Sequence, residues 1–308
     1  MSAGRPAVVG VVVPTHDRPE LLLETLRSVI AQNTDAELDI VVVFDRQAPD
    51  HAVASMSVPR RRIRVLRNER TPGLAGARNS GVLAVDSDWV AFCDDDDTWQ
   101  PGKLSAQLAR ARRHRDAFLL TTAICVAFEG SEIPRLAGTD VVQHSDLLRS
   151  RMSMLHSSTF LVRRPVLVGT LGLVDESIPG SQNEDWDLLL RATRLAPVQH
   201  VDEPLVRVRW GTSSQFSRQW ESRVESLEWM LDRHPDILSD RQGAARAFGQ
   251  LAFGNAALGR RGAAARWAGR TLRRNWREPR ALLAMAVAAG LLPAERVMTA
   301  LHRHGRGV

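Results

Sequence analysis

Asp94, Asp95, Asp96 and Asp97 follow directly on the apolar run Trp89-Val90-Ala91-Phe92-Cys93. Carboxylates this crowded repel one another: a pair ~4 Å apart costs about 1 kcal/mol in water and about 4 kcal/mol at an effective dielectric of 20. A solvated acidic turn tolerates that cost. A cluster fixed at the end of a buried strand needs a cation, and carboxylate oxygens select a hard divalent ion such as Mg²⁺ or Mn²⁺. In an extended segment Asp94 and Asp96 project the same way. The pattern predicts a metal and phosphate site at a strand end, where open α/β sheets bind ligands. The bland alternative is an acidic loop that caps the next helix.

A second acidic pair, Glu184-Asp185, opens a segment with Leu188, Leu189 and Ala192 at helical spacing. The helix dipole there favours an ionised carboxylate. Taken alone, Asp185 reads as an ordinary first-turn acid.

The surrounding pattern alternates strand and helix. Val8–Val13 is an apolar, β-branched run ended by Pro14. Pro19 opens an amphipathic helix with Leu22, Leu26, Val29 and Ile30 on one face. Leu38–Phe44 and Ile63–Leu66 read as strands, Leu74–Val85 as a helix, Trp89–Cys93 as a strand, and the segment from Pro101 to Arg113 as a helix. Alternation at this spacing predicts an α/β fold with a mostly parallel sheet covered by helices. Neither the dinucleotide fingerprint nor the phosphate-loop motif is present. Further on, Phe118–Phe128, Ser158–Val162 and Leu205–Trp210 read as strands, and 145–149 and Asp185–Leu195 as helices. Helical patterns then follow over Trp220–Arg233, Ala244–Leu258, Ala263–Asn275, Pro279–Ala289 and Ala294–His304. The expected organisation is a catalytic domain over 1–217 and a basic helical appendage over 218–308.

Composition fits a globular protein, with 44% apolar and 25% charged residues among 308. Cys93 and Cys125 lie in apolar runs and lack metal-ligand spacing, so they read as buried thiols in a reducing compartment. No secretory signal is visible, and the longest late apolar run, 281–292, is too short to cross a bilayer. A cytoplasmic location is expected. The net charge of +6 is unevenly spread. From Arg241 onward there are 13 arginines and only Glu278 and Glu295 as acids, a net of +11, which leaves −5 over residues 1–240. The basic tail points to an anionic membrane surface, a polyanion or a second subunit, with a merely solvated arginine face as the alternative. No nucleic-acid motif accompanies it.

Four stretches, in order, resemble glycosyltransferase family 2, the nucleotide-sugar-dependent transferases of GT-A fold. The first is Val11-Val12-Val13-Pro14-Thr15-His16-Asp17-Arg18-Pro19 with Ser28-Val29 and Gln32. The second is Gly73 followed by Ala77-Arg78-Asn79-Ser80-Gly81. The third runs from Phe92 through the aspartates to Thr98-Trp99-Gln100-Pro101-Gly102-Lys103-Leu104. The fourth is Gly172-Leu173-Val174-Asp175-Glu176 leading to Asn183-Glu184-Asp185-Trp186-Asp187. The resemblance covers residues 8 to about 210.

The resemblance implies an inverting transferase with a Rossmann-like GT-A sheet. It places Mg²⁺ or Mn²⁺ on Asp96 and puts Asp95 near the ribose, with Asp94 as the first acid of the motif. It lines the nucleotide site with Pro14, Thr15, His16, Arg18, Asp45 and Arg78. It assigns the general base to Asp185, with Glu184 and Trp186 on the acceptor side. The donor is a nucleoside-diphosphate sugar; the acceptor is left open between a glycan precursor, a lipid-linked sugar and a small molecule. Two departures stand out. Phe44 occupies the first of two positions where the family commonly has paired acids, and Arg46-Gln47 replace the usual small turn. Trp210 stands near the place where many relatives have a metal-site His, and Trp cannot ligate a metal. Either His200 or His156 substitutes, or the diphosphate supplies the missing ligands; the last is expected here. Rival readings are a sugar-phosphate nucleotidyltransferase, whose glycine-rich first loop is absent, and a degenerate sugar-binding scaffold.

Overall fold

A computed structural model describes residues 6–210 and 220–303 of the chain. The first strands are β1 (Val8–Thr15), β2 (Glu37–Phe44), β3 (Arg61–Arg67) and β4 (Trp89–Phe92). They alternate with helices α1 (Pro19–Ile30) and α2 (Leu74–Ala84). Next come β5 (Thr98–Trp99), α3 (Lys103–Arg113), β6 (Leu119–Phe128), β7 (Ser131–Arg135) and β8 (Val141–Val142). Then follow α4 (His144–Arg149), β9 (Leu161–Arg163), α5 (Arg164–Val168), α6 (Glu184–Leu195) and β10 (Val198–Arg209). The described residues 220–303 form five α-helices: α7 (Trp220–Arg233), α8 (Arg241–Ala257), α9 (Arg261–Arg274), α10 (Pro279–Ala288) and α11 (Ala294–His302).

One mixed sheet runs in the order β3-β2-β1-β4-β9-β6-β10-β5, with β7 on β6 and β8 on β10. The β3-β2-β1-β4 half is parallel, and β10 pairs parallel with β6. The short strand β9 is antiparallel to both β4 and β6 and joins the halves. From β1 the chain moves outward through β2 and β3, then returns to β4 on the other side of β1. This order creates a switch point, and a crevice, beyond the ends of β1 and β4. Residues 14–18 and 94–97 emerge into it.

The early strands read as continuous apolar runs because both faces are covered. Val9, Val11, Val12 and Val13 of β1 and Val90, Ala91 and Phe92 of β4 are all buried. Helix α2 lies unusually close to β1. A Cβ at Gly81 would stand 2.3 Å from Val12 Cγ1, so only glycine permits this approach, and it sets the depth at which Arg78 sits.

The predicted strand over Ser158–Val162 is shorter than expected. Ser157–Thr159 form a 3₁₀ turn and only Leu161–Arg163 pair in the sheet, because Ser158 is drawn into hydrogen bonds with the aspartate segment. Strand β10 is longer than expected, starting at Val198 and bulging near Pro204. The hairpin strand β7, interrupted by Pro134 at the sheet edge, escaped the sequence reading.

The tail is helical, but its packing is divided. Helix α7 and the first half of α8 share a core with α6, through Val224, Met230, Phe248 and Leu251 beside Leu188 and Leu189. The second half of α8, with α9, α10 and α11, builds a separate small core around Phe253, Ala264, Ala281 and Met298. The expected boundary near residue 217 lies outside the described residues, as do Gly211, Thr212 and Ser213 and the expected end of the last helix at His304. Asp187 at 0% exposure and His234 at 1% join α6 to the end of α7 through a 2.8 Å hydrogen bond.

Candidate active site

The aspartates close a turn after β4. The Asp97 N–H donates to the Asp94 carbonyl at 3.1 Å, and β5 follows at once. This turn corrects the extended geometry expected for Asp94 and Asp96, because it sends Asp94 to Arg78 and Asp96, with Asp95, to Arg18. Asp94 meets Arg78 at 2.5 Å and the Ser157 hydroxyl at 3.3 Å. Asp95 accepts from the Thr15 hydroxyl at 2.7 Å, the His16 N–H at 3.3 Å and Arg18 at 3.2 Å. Asp96 faces Arg18 at 2.6 Å. Asp97 accepts from the Ser158 hydroxyl at 2.6 Å and the Arg209 N–H at 3.4 Å.

These partners sort the four by ionisation. Burial disfavours a charged Asp94, but Arg78 and His156 outweigh it and hold the carboxyl below its ordinary range. Burial raises Asp95 despite Thr15 and Arg18. Burial pushes Asp96 up to about 6 against the pull of Arg18, with Asp94 and Asp95 adding to the rise. Burial, then Asp96 and Asp94, push Asp97 well above the carboxylate range. Ionising all four would put more negative charge into the turn than its protein cations balance, so Asp95, Asp96 and Asp97 resist it.

Arg78 is 1% exposed. It bridges Asp94 and Glu184, donates to the Ser157 hydroxyl at 2.8 Å and lies over the Phe92 ring. The resemblance put Arg78 in the lining of the nucleotide site; the structure instead buries it behind that site, paired with Asp94 and Glu184. It links the strand-end turn to the start of α6.

His156 stands at the centre of the acidic group. Its Nδ1 lies 3.3 Å from Asp97 and its Nε2 4.0 Å from Asp94. One donor atom from each of Asp94, Asp97 and His156 falls within 4.8 Å of the others, a set that fits a divalent cation. Asp96, the expected ligand, is outside that set because Arg18 holds it. His200, the other candidate, is fully buried and bonded to Thr121 and Asp202.

Pro14, Thr15, His16, Arg18, Asp45 and the aspartates line a pocket of about 550 Å³ beyond β1 and β4. Within it, His16 is bonded through Nδ1 to the Asp45 carbonyl at 2.8 Å. The Asp45 carboxylate takes hydrogen bonds from Asn68 at 2.7 Å, the Gly73 N–H at 3.1 Å and Arg46 at 2.8 Å. Arg46, which departs from the usual small turn, thus helps fix Asp45 and with it the loop before α2.

A larger cleft of about 800 Å³ opens on the other side of Asp94 and His156. Asp94, His156, Ser181, Arg209 and Trp210 line both spaces, so the two adjoin there. Asp185 faces the cleft from the first turn of α6. One nitrogen of Arg151 and the Trp186 N–H hold its carboxylate. Burial opposes its charge, but Arg151 and His156 prevail and keep the carboxyl below its usual range. Glu184 lies beside it with Arg78 on its other flank; burial pushes its carboxyl upward and Arg78 opposes the rise. Trp186 also lines this cleft. The residue is only 4% exposed and its indole N–H is spent on the Leu147 carbonyl at 3.2 Å, so it anchors α6 to α4 as well.

Sequence reasoning missed Arg151, Ser157 and Ser158 altogether and named His156 only as an alternative. Nothing in the local spacing of 151–158 signals chemistry. The segment matters because it crosses between the aspartate turn and α6 in space, which no linear pattern reveals.

The model of glycosyl transferase family 2 matches residues 10–168. Among curated relatives, the amylovoran biosynthesis glycosyltransferase AmsB of Erwinia amylovora is 24% identical over 239 residues, covering 74% of this chain and 78% of its own. Among solved structures, S. aureus TarS 1–349 in complex with UDP-GlcNAc shares the fold with a TM-score of 0.61 at 18% identity, covering 97% of this chain and 92% of that one. The mannosyltransferase PcManGT from Pyrobaculum calidifontis, in complex with GDP-Man and Mn²⁺, aligns with a TM-score of 0.57 at 16% identity over 96% of this chain and 84% of that one. The matched stretch runs from β1 through α5 and spans just over half of the chain: this protein belongs to glycosyl transferase family 2.

Proposed function

We propose that the chain transfers a sugar from a nucleoside-diphosphate donor to an acceptor hydroxyl, with inversion and with help from a divalent cation. The observation that carries this reading is the meeting of the two spaces at Asp94 and His156. The aspartate turn faces one space and the ionised Asp185 faces the other. The donor occupies the smaller pocket, against Pro14, Thr15, His16, Arg18, Asp45 and Asp95. Arg78 supports this wall from behind by fixing Asp94.

Asp94 and His156 of the cation-fitting set, joined by Asp96 once it is released from Arg18, would hold the cation. Bound there, Mg²⁺ or Mn²⁺ supplies charge stabilisation to a departing diphosphate. Asp185 takes the proton from the acceptor hydroxyl. The acceptor oxygen forms its bond to the anomeric carbon, the bond from that carbon to the diphosphate oxygen breaks, and the nucleoside diphosphate leaves with the electron pair. Arg151 positions Asp185 and keeps it ionised until the acceptor is in place. Displacement from the face opposite the leaving group inverts the anomeric centre. Membership of the family disfavours nucleotidyl transfer, and retention of Asp94, Asp96 and Asp185 argues against a degenerate scaffold.

No helix of the described residues is long and apolar enough to cross a membrane. A cytoplasmic protein with a peripheral membrane contact fits the tail best. Trp276 is 67% exposed and Leu291 75% exposed, and Leu282 and Met285 lie between them in a segment flanked by Arg273, Arg274 and Arg277. Apolar side chains beside arginines suit an anionic bilayer surface. The alternative is that this face joins two copies of the chain, over residues 218–308 as an association unit.

The direct test is thermal shift or calorimetry with UDP, GDP, CDP and dTDP, each with Mn²⁺ or Mg²⁺ and again with chelator. Cation-dependent binding of one nucleotide, abolished in Asp96→Ala, is the expected result. Equal affinity with and without chelator would remove the cation from the account.

A further inference from the structure

The wall of the larger cleft is richer in arginine than the transfer chemistry requires. Several of these cations are already matched: Arg151 by Asp185, Arg149 by Asp240, Arg209 by Glu24 and Arg280 by Glu278. Arg223, Arg246 and Arg277 also line the cleft, and no carboxylate of the described residues pairs with them. Among the described residues Arg246 donates only to the Arg149 carbonyl, at 2.8 Å. Arg223 and Arg277 rest on the indole rings of Trp220 and Trp276, at 4.8 and 4.7 Å. Nη1 of Arg223 is buried without a hydrogen-bond partner. A buried charged donor left unmade is costly, and native structures keep one only for a reason. Burial, and after it the adjacent Arg151 cation, pull the Arg223 guanidinium down to about 10. A single carboxylate would balance one of these groups. Three unmatched guanidinium forks suit a ligand with several negative oxygens, the geometry that arginine reads on phosphate. At about 800 Å³ the space accommodates a glycan fragment carrying such a group.

We propose that this cleft selects an acceptor bearing a phosphate or diphosphate group, which Arg223, Arg246 and Arg277 bind while the accepting hydroxyl is presented to Asp185. This deepens the proposed function and rests on its assignment of the acceptor to the Asp185 side. The phosphate could belong to a lipid-linked sugar or to a water-soluble phosphorylated glycan, and the test separates the two.

The experiment is titration calorimetry on the full chain in chelator, with inorganic pyrophosphate and with farnesyl diphosphate as probes. Chelator removes the cation on which diphosphate binding in the donor pocket depends. Both probes should bind the parent, and Arg223→Gln and Arg246→Gln should each weaken binding by about tenfold or more, whereas Arg266→Gln on the exposed face of α9 should not. A thermal melt confirms that each variant is folded, and two independent arginines guard against one failing. Tighter farnesyl diphosphate assigns the lipid-linked source; equal affinity of the two probes assigns the soluble one. No binding of either probe, or equal binding in the parent and both cleft variants, overturns the proposal, as does an equal loss in Arg266→Gln. The same variants titrated with UDP or GDP and Mn²⁺ isolate the donor reading. If the parent fails to bind any nucleotide yet binds pyrophosphate through these arginines, the donor assignment falls and the anion site stands.

Discussion

One nitrogen of the Arg151 guanidinium lies 3.0 Å from each carboxylate oxygen of Asp185. The pairing does two things. It fixes the carboxylate in the wall of the larger cleft, the proposed acceptor side, and it holds the group ionised below the ordinary carboxylate range despite burial. A base kept in this state is ready throughout neutral pH. Loss of the charge needs acid below the usual carboxylate pKa, so Asp185 itself should impose no activity limb near neutrality.

Asp96 behaves in the opposite sense. Its carboxyl is raised to about 6 by burial. Below that pH a proton competes with the divalent cation for the same oxygens; above it the carboxylate is free to bind. Cation-dependent nucleotide affinity should therefore be level above about pH 7 and weaken by about tenfold per unit of pH below 6. Calorimetry between pH 5 and 8 at fixed free Mn²⁺ reads this directly. A flat profile would show that Asp96 does not hold the cation.

Removing Arg78 should damage the fold as well as the site. The guanidinium is fully buried between Asp94 and Glu184. Truncation in Arg78→Ala leaves two buried carboxylates without their cation, and breaking a buried pair in this way costs about 3–5 kcal/mol. Chemical denaturation should show a loss of that order. Arg78→Lys should recover only part of it, because one ammonium cannot reproduce the fork between Asp94, Glu184 and Ser157. A loss under about 1 kcal/mol in the alanine variant, typical of an exposed pair, would contradict the bridging role.

The basic tail makes a separate claim. If the exposed Trp276, Leu282 and Leu291 dock on a bilayer, the chain should sediment with phosphatidylglycerol vesicles at low salt and not with phosphatidylcholine vesicles. Each arginine near an anionic surface contributes about 1 kcal/mol, screened by salt. Trp276→Ser with Leu282→Ser should reduce the bound fraction. Sedimentation indifferent to lipid charge would leave only packing or self-association for this face.

Much of this molecule was readable before its structure. The strands of the parallel half show as uninterrupted apolar runs because both faces are buried, and proline and glycine punctuate the helices, so Pro19, Pro279 and Pro293 mark starts that the structure keeps within a residue. The aspartates announced a strand-end site. Their individual partners were not legible, since a turn at Asp94–Asp97 abolishes the period-two alternation that an extended reading assumes. Trp186 lines the larger cleft beside Asp185, but its second task, anchoring α6 through the Leu147 carbonyl, was not legible in the sequence. Arg151 and His156 were overlooked or undervalued for a different reason: their roles exist only where the 151–158 segment passes between two elements far apart in the chain. Phe44 and Arg46 looked like departures, yet Asp45 beside them keeps its place through Asn68 and Gly73.

The central claim is that Asp185 activates a nucleophile against the anomeric carbon of a cation-bound nucleotide sugar. Time-resolved proton NMR of donor turnover tests it most directly, with the preferred α-linked nucleotide sugar, Mn²⁺ or Mg²⁺, and either the true acceptor or water as nucleophile. The account predicts that the first product formed is the β anomer, that chelator stops its formation, and that Asp185→Asn slows it by ~10²–10⁴-fold while still binding the donor. An α product at the earliest times, or an Asp185→Asn protein that turns over at the parent rate, would contradict it.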